Sequence, residues 1–304
     1  MISVITPNYN GEKYLPDYLD SLQNQTLSKD KFEVLFVDDG STDSSKEIVN
    51  SYSSSMVNLR PLWSDHLGQP GELRNIAIRH AVGHYVLFLD SDDYLGYEAL
   101  ERLDDFITRY PSDLTLFQIE GLDRDVMKFP TTQPYTDLID SGAYKTRGIW
   151  KMVSSDLIKN NGIHFSNVKR ADDVLFTTDV MLKARTTSIL GEYAFYMLRG
   201  REDGSSITQV AWPARDRTTL AREMALMIAR DTTADERTKR YLMLRAFNTD
   251  SIAILNDPAT TDEDRQFLRE ALSEFWTEDV QNIFYRPENL RQLKHFFEQG
   301  DDNV

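Results

Sequence analysis

The feature that most constrains this chain is the alternation of short apolar runs with helical patterns across its first 120 or so residues. Runs rich in β-branched, Leu or Phe residues fall at Ile2–Thr6, Glu33–Val37, Asn58–Leu62, Tyr85–Leu89 and Asp113–Ile119, which predicts strands. Between them, apolar residues recur at helical spacing: Leu15, Tyr18, Leu19 and Leu22; Ile48, Val49 and Tyr52; Leu73, Ile76 and Ala77; Leu100, Leu103, Phe106 and Ile107. Strand–helix alternation predicts an α/β fold, Rossmann-like, with a mostly parallel central sheet and helices on both faces. Such sheets bind ligands outside the carboxyl ends of their strands. The residues that follow each strand are therefore the ones to read for chemistry.

The rest of the chain is less regular. From Gly121 to Tyr144 the pattern weakens around Pro130 and Pro134 into loops and short strands. A helix is expected from Asp172, carrying Val174, Leu175, Val180 and Met181, and late strands at Ser188–Leu190 and Tyr193–Leu198. Beyond Trp212-Pro213 only helices are expected, over about 215–230, 234–256, 262–284 and 287–298. The predicted organisation is a catalytic domain over residues 1–212 and a helical C-terminal segment over 213–304.

Composition narrows the function classes. With 40% hydrophobic and 27% charged residues the chain can fold as an ordinary soluble protein. No apolar run approaches the ~20 residues that span a bilayer, and the start of the chain reads as a first strand, with no basic leader region. A cytoplasmic enzyme is the expectation, peripheral to the inner face of the membrane if its acceptor lies there. A net charge of −15 repels phosphate backbones, so nucleic acid is not an expected partner. The absence of cysteine excludes disulfides and thiolate metal sites.

Three segments after predicted strands carry candidate chemistry. Thr6-Pro7-Asn8-Tyr9-Asn10 places polar groups and an aromatic ring where a base can stack, although Pro-Asn is also a common turn pair. Val37-Asp38-Asp39-Gly40-Ser41-Thr42-Asp43 offers an acid for a ribose or base edge, or simply a turn and a helix cap. Leu89-Asp90-Ser91-Asp92-Asp93 gathers three carboxylates in four residues. Capping explains one of them; mutual repulsion makes three costly unless a cation sits among them. Hard oxygen donors of this kind suit Mg²⁺ or Mn²⁺ carrying a diphosphate.

Together these segments resemble the inverting family 2 glycosyltransferases of GT-A fold, and Gly71-Glu72-Leu73-Arg74-Asn75-Ile76-Ala77 resembles the family's Arg-Asn segment between them. The resemblance continues through Asp172-Asp173-Val174-Leu175-Phe176. It implies that Pro7, Tyr9 and Asp39 contact the uracil and ribose of a UDP-sugar, and that Arg74 helps to hold the nucleotide. Asp90 would bind ribose or the donor sugar, Asp92 the metal, and Asp173 would be the catalytic base, with Asp172 beside it toward the substrate. Read alone, Asp172 and Asp173 are acids in a helix's first turn, which the dipole favours. Many relatives supply a late histidine to the metal from the stretch matching Arg199–Ser206, where this sequence has none.

A narrower resemblance, through Gly68-Gln69-Pro70-Gly71, Arg74-Asn75 and the helical tail, is to the wall teichoic acid N-acetylglucosaminyltransferases. It implies transfer of GlcNAc to poly(ribitol phosphate) and a homo-oligomer formed through C-terminal segments. Arg237, Lys239, Arg240 and Arg245 form a basic cluster in sequence; a polyphosphate acceptor would need such a patch, and Arg240 and Arg245 are its candidate contacts. Transfer to another polysaccharide or a glycolipid, a nucleotidyltransferase, and an inactive sugar-nucleotide-binding protein are the alternatives. The N-terminal segment lacks the Gly-rich basic phosphate loop expected of a nucleotidyltransferase.

Overall fold

Every residue of the first two strands, β1 (Ile2–Asn8) and β2 (Phe32–Asp38), is buried, because a parallel sheet is covered on both faces. They belong, in a computed structural model that describes residues 1–122, 125–168, 171–200 and 212–299, to an eight-stranded sheet. Its other strands are β3 (Leu59–Trp63), β4 (Tyr85–Phe88), β6 (Leu114–Phe117), β8 (Gln133–Thr136), β9 (Lys151–Ser154) and β10 (Thr187–Leu190). The order is β3-β2-β1-β4-β9-β6-β10-β8. β1, β2, β3 and β4 are mutually parallel, as are β6 and β10. β9 runs antiparallel between β4 and β6, and β8 antiparallel on the edge. A small second sheet joins β5 (Tyr94–Leu95), β7 (Ile119–Gly121) and β11 (Tyr196–Leu198).

The helices arise where the apolar spacing put them. α1 (Leu15–Gln23) buries Leu15, Tyr18, Leu19 and Leu22, and α4 (Ala99–Arg109) buries Leu100, Leu103, Phe106 and Ile107. α2 (Ser45–Ser53) follows β2, and α3 (Pro70–His80) starts with Pro70 in its first turn, where the missing N–H costs nothing. α5 (Ser155–Asn161) and α6 (Asp172–Lys183) follow β9.

The strands depart from the sequence pattern in three places. The run Asp113–Ile119 divides at buried Gln118, whose backbone bonds to Leu190 and Phe195, so that β6 and β7 enter different sheets. β9 was not anticipated, because the buried Lys151 hides a strand in what reads as a broken apolar run. The late strand expected at Tyr193 begins only at Tyr196.

Beyond Trp212, α7 (Ala214–Arg230), α8 (Glu236–Arg245), α9 (Ile252–Leu255), α10 (Asp262–Leu272), α11 (Glu278–Gln281) and α12 (Pro287–Lys294) form the helical segment. A π-helical stretch, Ala246–Ser251, joins α8 to α9, and the helix expected over 262–284 breaks at Phe275-Trp276, which pack against the C-terminal helices. α7 buries Leu220, Ala221, Met224, Ala225 and Ile228, in one core with Phe88, Phe165 and Phe176 of the sheet region. The expected boundary near residue 212 adjoins 201–211, which lie outside the described residues. Among the described residues no helix is long and apolar enough to cross a membrane.

Candidate active site

The register of β1 on β2 sets Asn8 opposite Asp38, so the turns that leave both strands meet at one sheet edge. Asn8 donates to Asp38 at 2.8 Å, and Ser41 donates to the same carboxylate oxygen at 2.7 Å while accepting the Asn10 N–H. Pro7 is buried at the end of β1, and Tyr9 next to it is 45% exposed. The Tyr9 ring stacks on His66, centroids 4.4 Å apart. Asp39 is almost wholly buried, and its oxygens accept the Leu67 and Gly68 N–H groups at 2.6 and 2.9 Å, with His66 Nδ1 at 3.0 Å. Asp39 therefore ties the loop after β3 beneath an exposed aromatic pair. His66, which sequence reasoning passed over, completes that pair.

The three acids after β4 have separate surroundings. Asp93 is buried; it accepts the Tyr196 hydroxyl at 2.6 Å and the Arg199 N–H at 2.7 Å. Burial, followed by the charges of Asp92 and Asp90, pushes its carboxyl well above the usual range. Tyr196 also accepts the Asp90 N–H, so this tyrosine of β11 fixes the turn from both ends; no local pattern in the sequence pointed to it. Asp90 accepts Arg74 Nη2 at 2.7 Å and stays 30% exposed. Asp92 is half-buried. The crowding of negative charge at one strand end, with Asp93 committed inward, fits a hard divalent cation held by Asp92 jointly with ligand oxygens. It does not fit a protein cage: among the described residues no three His, Asp or Glu side chains converge as metal ligands. Residues 201–206 of the stretch matching the relatives' late histidine lie outside the described residues.

Across from these acids, α6 opens with Asp172 and Asp173, after Ala171 in a left-handed conformation (φ 55°). Both are partly exposed by area yet poorly solvated. Burial and the adjacent Asp172 push Asp173 up to about 6, with Arg74 and Arg147 opposing. Burial also raises Asp172, against the pull of Arg74. Arg74 itself is 6% exposed and lies between Asp90 and Asp172. The motif residues of α3, β4 and α6 thus converge.

The basic cluster of α8 does not stay together. Arg237 pairs with Asp137 and Asp140, Lys239 with Glu236, and Arg240 lies 3.9 Å from Asp279. Five residues on, about 140° round the helix, Arg245 turns inward and is 4% exposed. It joins the buried Lys151 and the partly exposed Arg147 in a cationic group that acts on Asp173 and, through Arg147 and Arg245, on Asp250 of the π-helical stretch. Arg147 bonds Asp250 at 2.8 Å, and Lys151 donates to the Gly148 carbonyl. Burial and mutual repulsion lower Lys151 to about 7 and Arg245 to about 9. Arg245 Nε and Nη2 and Arg147 Nε have no hydrogen-bond partner. Lys151 and Arg147 were not singled out from sequence, where isolated basic residues read as surface.

Sheet order, strand-end acids and the acid pair on α6 define a GT-A glycosyltransferase, and residues 3–165 match the family model for glycosyl transferase family 2. The chain belongs to that family. It is 42% identical over 206 residues to the poly(ribitol-phosphate) beta-glucosyltransferase of Bacillus spizizenii, covering 66% of this chain and 32% of that one. It is 38% identical over 204 residues to the poly(ribitol-phosphate) beta-N-acetylglucosaminyltransferase TarS of Staphylococcus aureus, covering 66% and 36%. The chain therefore spans about a third of the length of these curated relatives. The crystal structure of S. aureus TarS residues 1–349 with UDP-GlcNAc matches it with a TM-score of 0.86 at 30% identity, over 98% of this chain and 88% of that one.

Proposed function

We propose that this chain is an inverting glycosyltransferase that moves a sugar from a UDP-sugar to a hydroxyl of a phosphate-bearing glycopolymer, poly(ribitol phosphate) being the acceptor its relatives' names point to. The observation that carries the reading is the convergence of the acids Asp90, Asp172 and Asp173 around Arg74. Uracil would stack at Tyr9 above Asp39. Asp92 would hold Mg²⁺ or Mn²⁺, which when bound neutralises charge growing on the leaving diphosphate. Asp173, ionised at neutral pH yet basic enough to accept a proton, takes the proton of the acceptor hydroxyl. The hydroxyl oxygen forms the new bond to the anomeric carbon as the bond to UDP breaks, its electron pair leaving with the diphosphate. One displacement inverts the anomeric centre, and no covalent intermediate is needed.

The positive charge of Arg147, Lys151 and Arg245 beside Asp173 supports an anionic acceptor better than the surface of α8 does, where Arg237 and Lys239 are already paired with acids. The helical segment after residue 212 would add acceptor contacts or self-association, and the enzyme would work in the cytoplasm at the membrane's inner face. GlcNAc is the donor sugar that TarS's name and its UDP-GlcNAc complex favour. Glucose is a second reading, favoured by the 42% identity to the beta-glucosyltransferase. The test is transfer onto purified poly(ribitol phosphate) with Mn²⁺ from UDP-GlcNAc and UDP-glucose in parallel. GlcNAc turnover at least ~10-fold above glucose supports the first reading; the reverse order replaces it with the second; transfer from neither contradicts the function.

A further inference from the structure

α3 meets the start of α6 through three residues on one helical face, at spacings of three and four. Gly71 lies under Asp172: a Cβ there would stand 2.2 Å from Asp172 Oδ2 and 2.9 Å from Phe165 Cβ, closer than any side chain can be accommodated without moving the acid. One turn on, Arg74 reaches Asp90 at 2.7 Å with Nη2 and Asp172 at 3.6 Å with Nη1, and its guanidinium lies over the Phe165 ring at 5.4 Å. Asn75 grips the Phe165 backbone, accepting its N–H at 2.8 Å and donating to its carbonyl at 2.9 Å. That ring in turn stacks flat on Phe176 of α6, centroids 4.0 Å apart. Asp172 Oδ2 is buried without a hydrogen bond, so Arg74 is the cation that compensates it.

We propose that Arg74 is a positioning residue for the acceptor base: seated by Gly71 and Asn75, it ties Asp172 to donor-side Asp90 and so fixes the acid pair of α6 in place. This rests on Asp173 being that base. The charged groups facing Asp173 are Asp172 on its own helix, Arg74 of α3, Asp90 after β4, Arg147 in the segment before β9, Lys151 of β9, and Arg245 of α8. Arg74 is the first opposing charge in the balance that holds Asp173 near 6. Removing it disfavours the ionised form, so the acidic limb of the kcat–pH profile moves to higher pH.

The experiment compares wild type, Arg74→Gln, Arg74→Lys, Gly71→Ala and Asp173→Asn as full chains, measuring kcat against pH and KM for the UDP-sugar. The expected result for Arg74→Gln is kcat lower by ~10-fold or more at pH 7, a donor KM within about threefold of wild type, and an acidic limb moved upward. Arg74→Lys restores charge and brings the limb back toward wild type. Gly71→Ala removes no charge and decides the matter if Arg74→Gln does not fold; it too should lower kcat with little change in donor KM. A raised donor KM with an unmoved limb in Arg74→Gln makes Arg74 a nucleotide contact and overturns the proposal, as does wild-type kcat in Gly71→Ala. Failure of the underlying reading looks different: Asp173→Asn then keeps wild-type turnover and the same acidic limb.

Discussion

At the scale of single residues, the chemistry turns on how differently this protein treats carboxylates that look alike in sequence. Of the three acids after β4, Asp93 is drawn inward by Tyr196 and Arg199, and Asp90 is engaged by Arg74. Under the proposed function Asp92, half-buried between them, would hold the cation shared with the donor's diphosphate. In Asp92→Asn, UDP affinity in Mn²⁺ should fall to its metal-free level, while affinity without metal stays as in wild type. Calorimetry of UDP binding with and without Mn²⁺ reads this directly; a mutant that still gains affinity from Mn²⁺ removes Asp92 from the site. The motifs themselves were legible, because each follows a strand and each needs an acid or ring there. The partners of those motifs were not. His66 and Tyr196 reach them from 57 and 103 residues away in the chain, and a single sequence has no local pattern that reports such contacts.

At the scale of elements, the first four strands and their helices follow from apolar spacing alone, since local periodicity decides whether a segment buries one stripe or both faces. β9 escaped that logic. Its Lys151 is buried beside Asp173, and a charged residue in the middle of a strand breaks the pattern that would reveal it. The basic patch of α8 was misleading for the opposite reason: neighbours in sequence point in different directions round a helix. α7 matters most to integrity, since it lies on α6, the helix that opens with Asp172-Asp173. Met224 of α7 is fully buried in the core shared with α6. Met224→Ala should cost about 2–5 kcal/mol, and urea unfolding should remain one transition by fluorescence and by far-UV circular dichroism, because the core is continuous across residue 212. Two separated transitions would mean that the helical segment folds on its own, and a chain cut near 212 would then survive. With one transition, the cut chain should lose the cover of α6 and with it the cleft.

At the scale of the whole molecule, the parallel register of β1, β2 and β4 brings the turns after β1 and β2 to the same edge as the acids after β4, and Arg74 links those acids to the start of α6. A net charge of −15 would repel a polyphosphate, and the positive charge of Arg147, Lys151 and Arg245 beside Asp173 offsets that field locally. The central claim is that this cleft transfers sugar with Asp173 as the base. The most direct measurement is transfer from a UDP-sugar to poly(ribitol phosphate) by the intact chain and by Asp173→Asn, with UDP affinity measured on both. The expected result is transfer by the wild type and a turnover lower by roughly 10²–10⁴-fold in Asp173→Asn, the usual contribution of a general base, with UDP affinity nearly unchanged. Wild-type turnover in Asp173→Asn would contradict it.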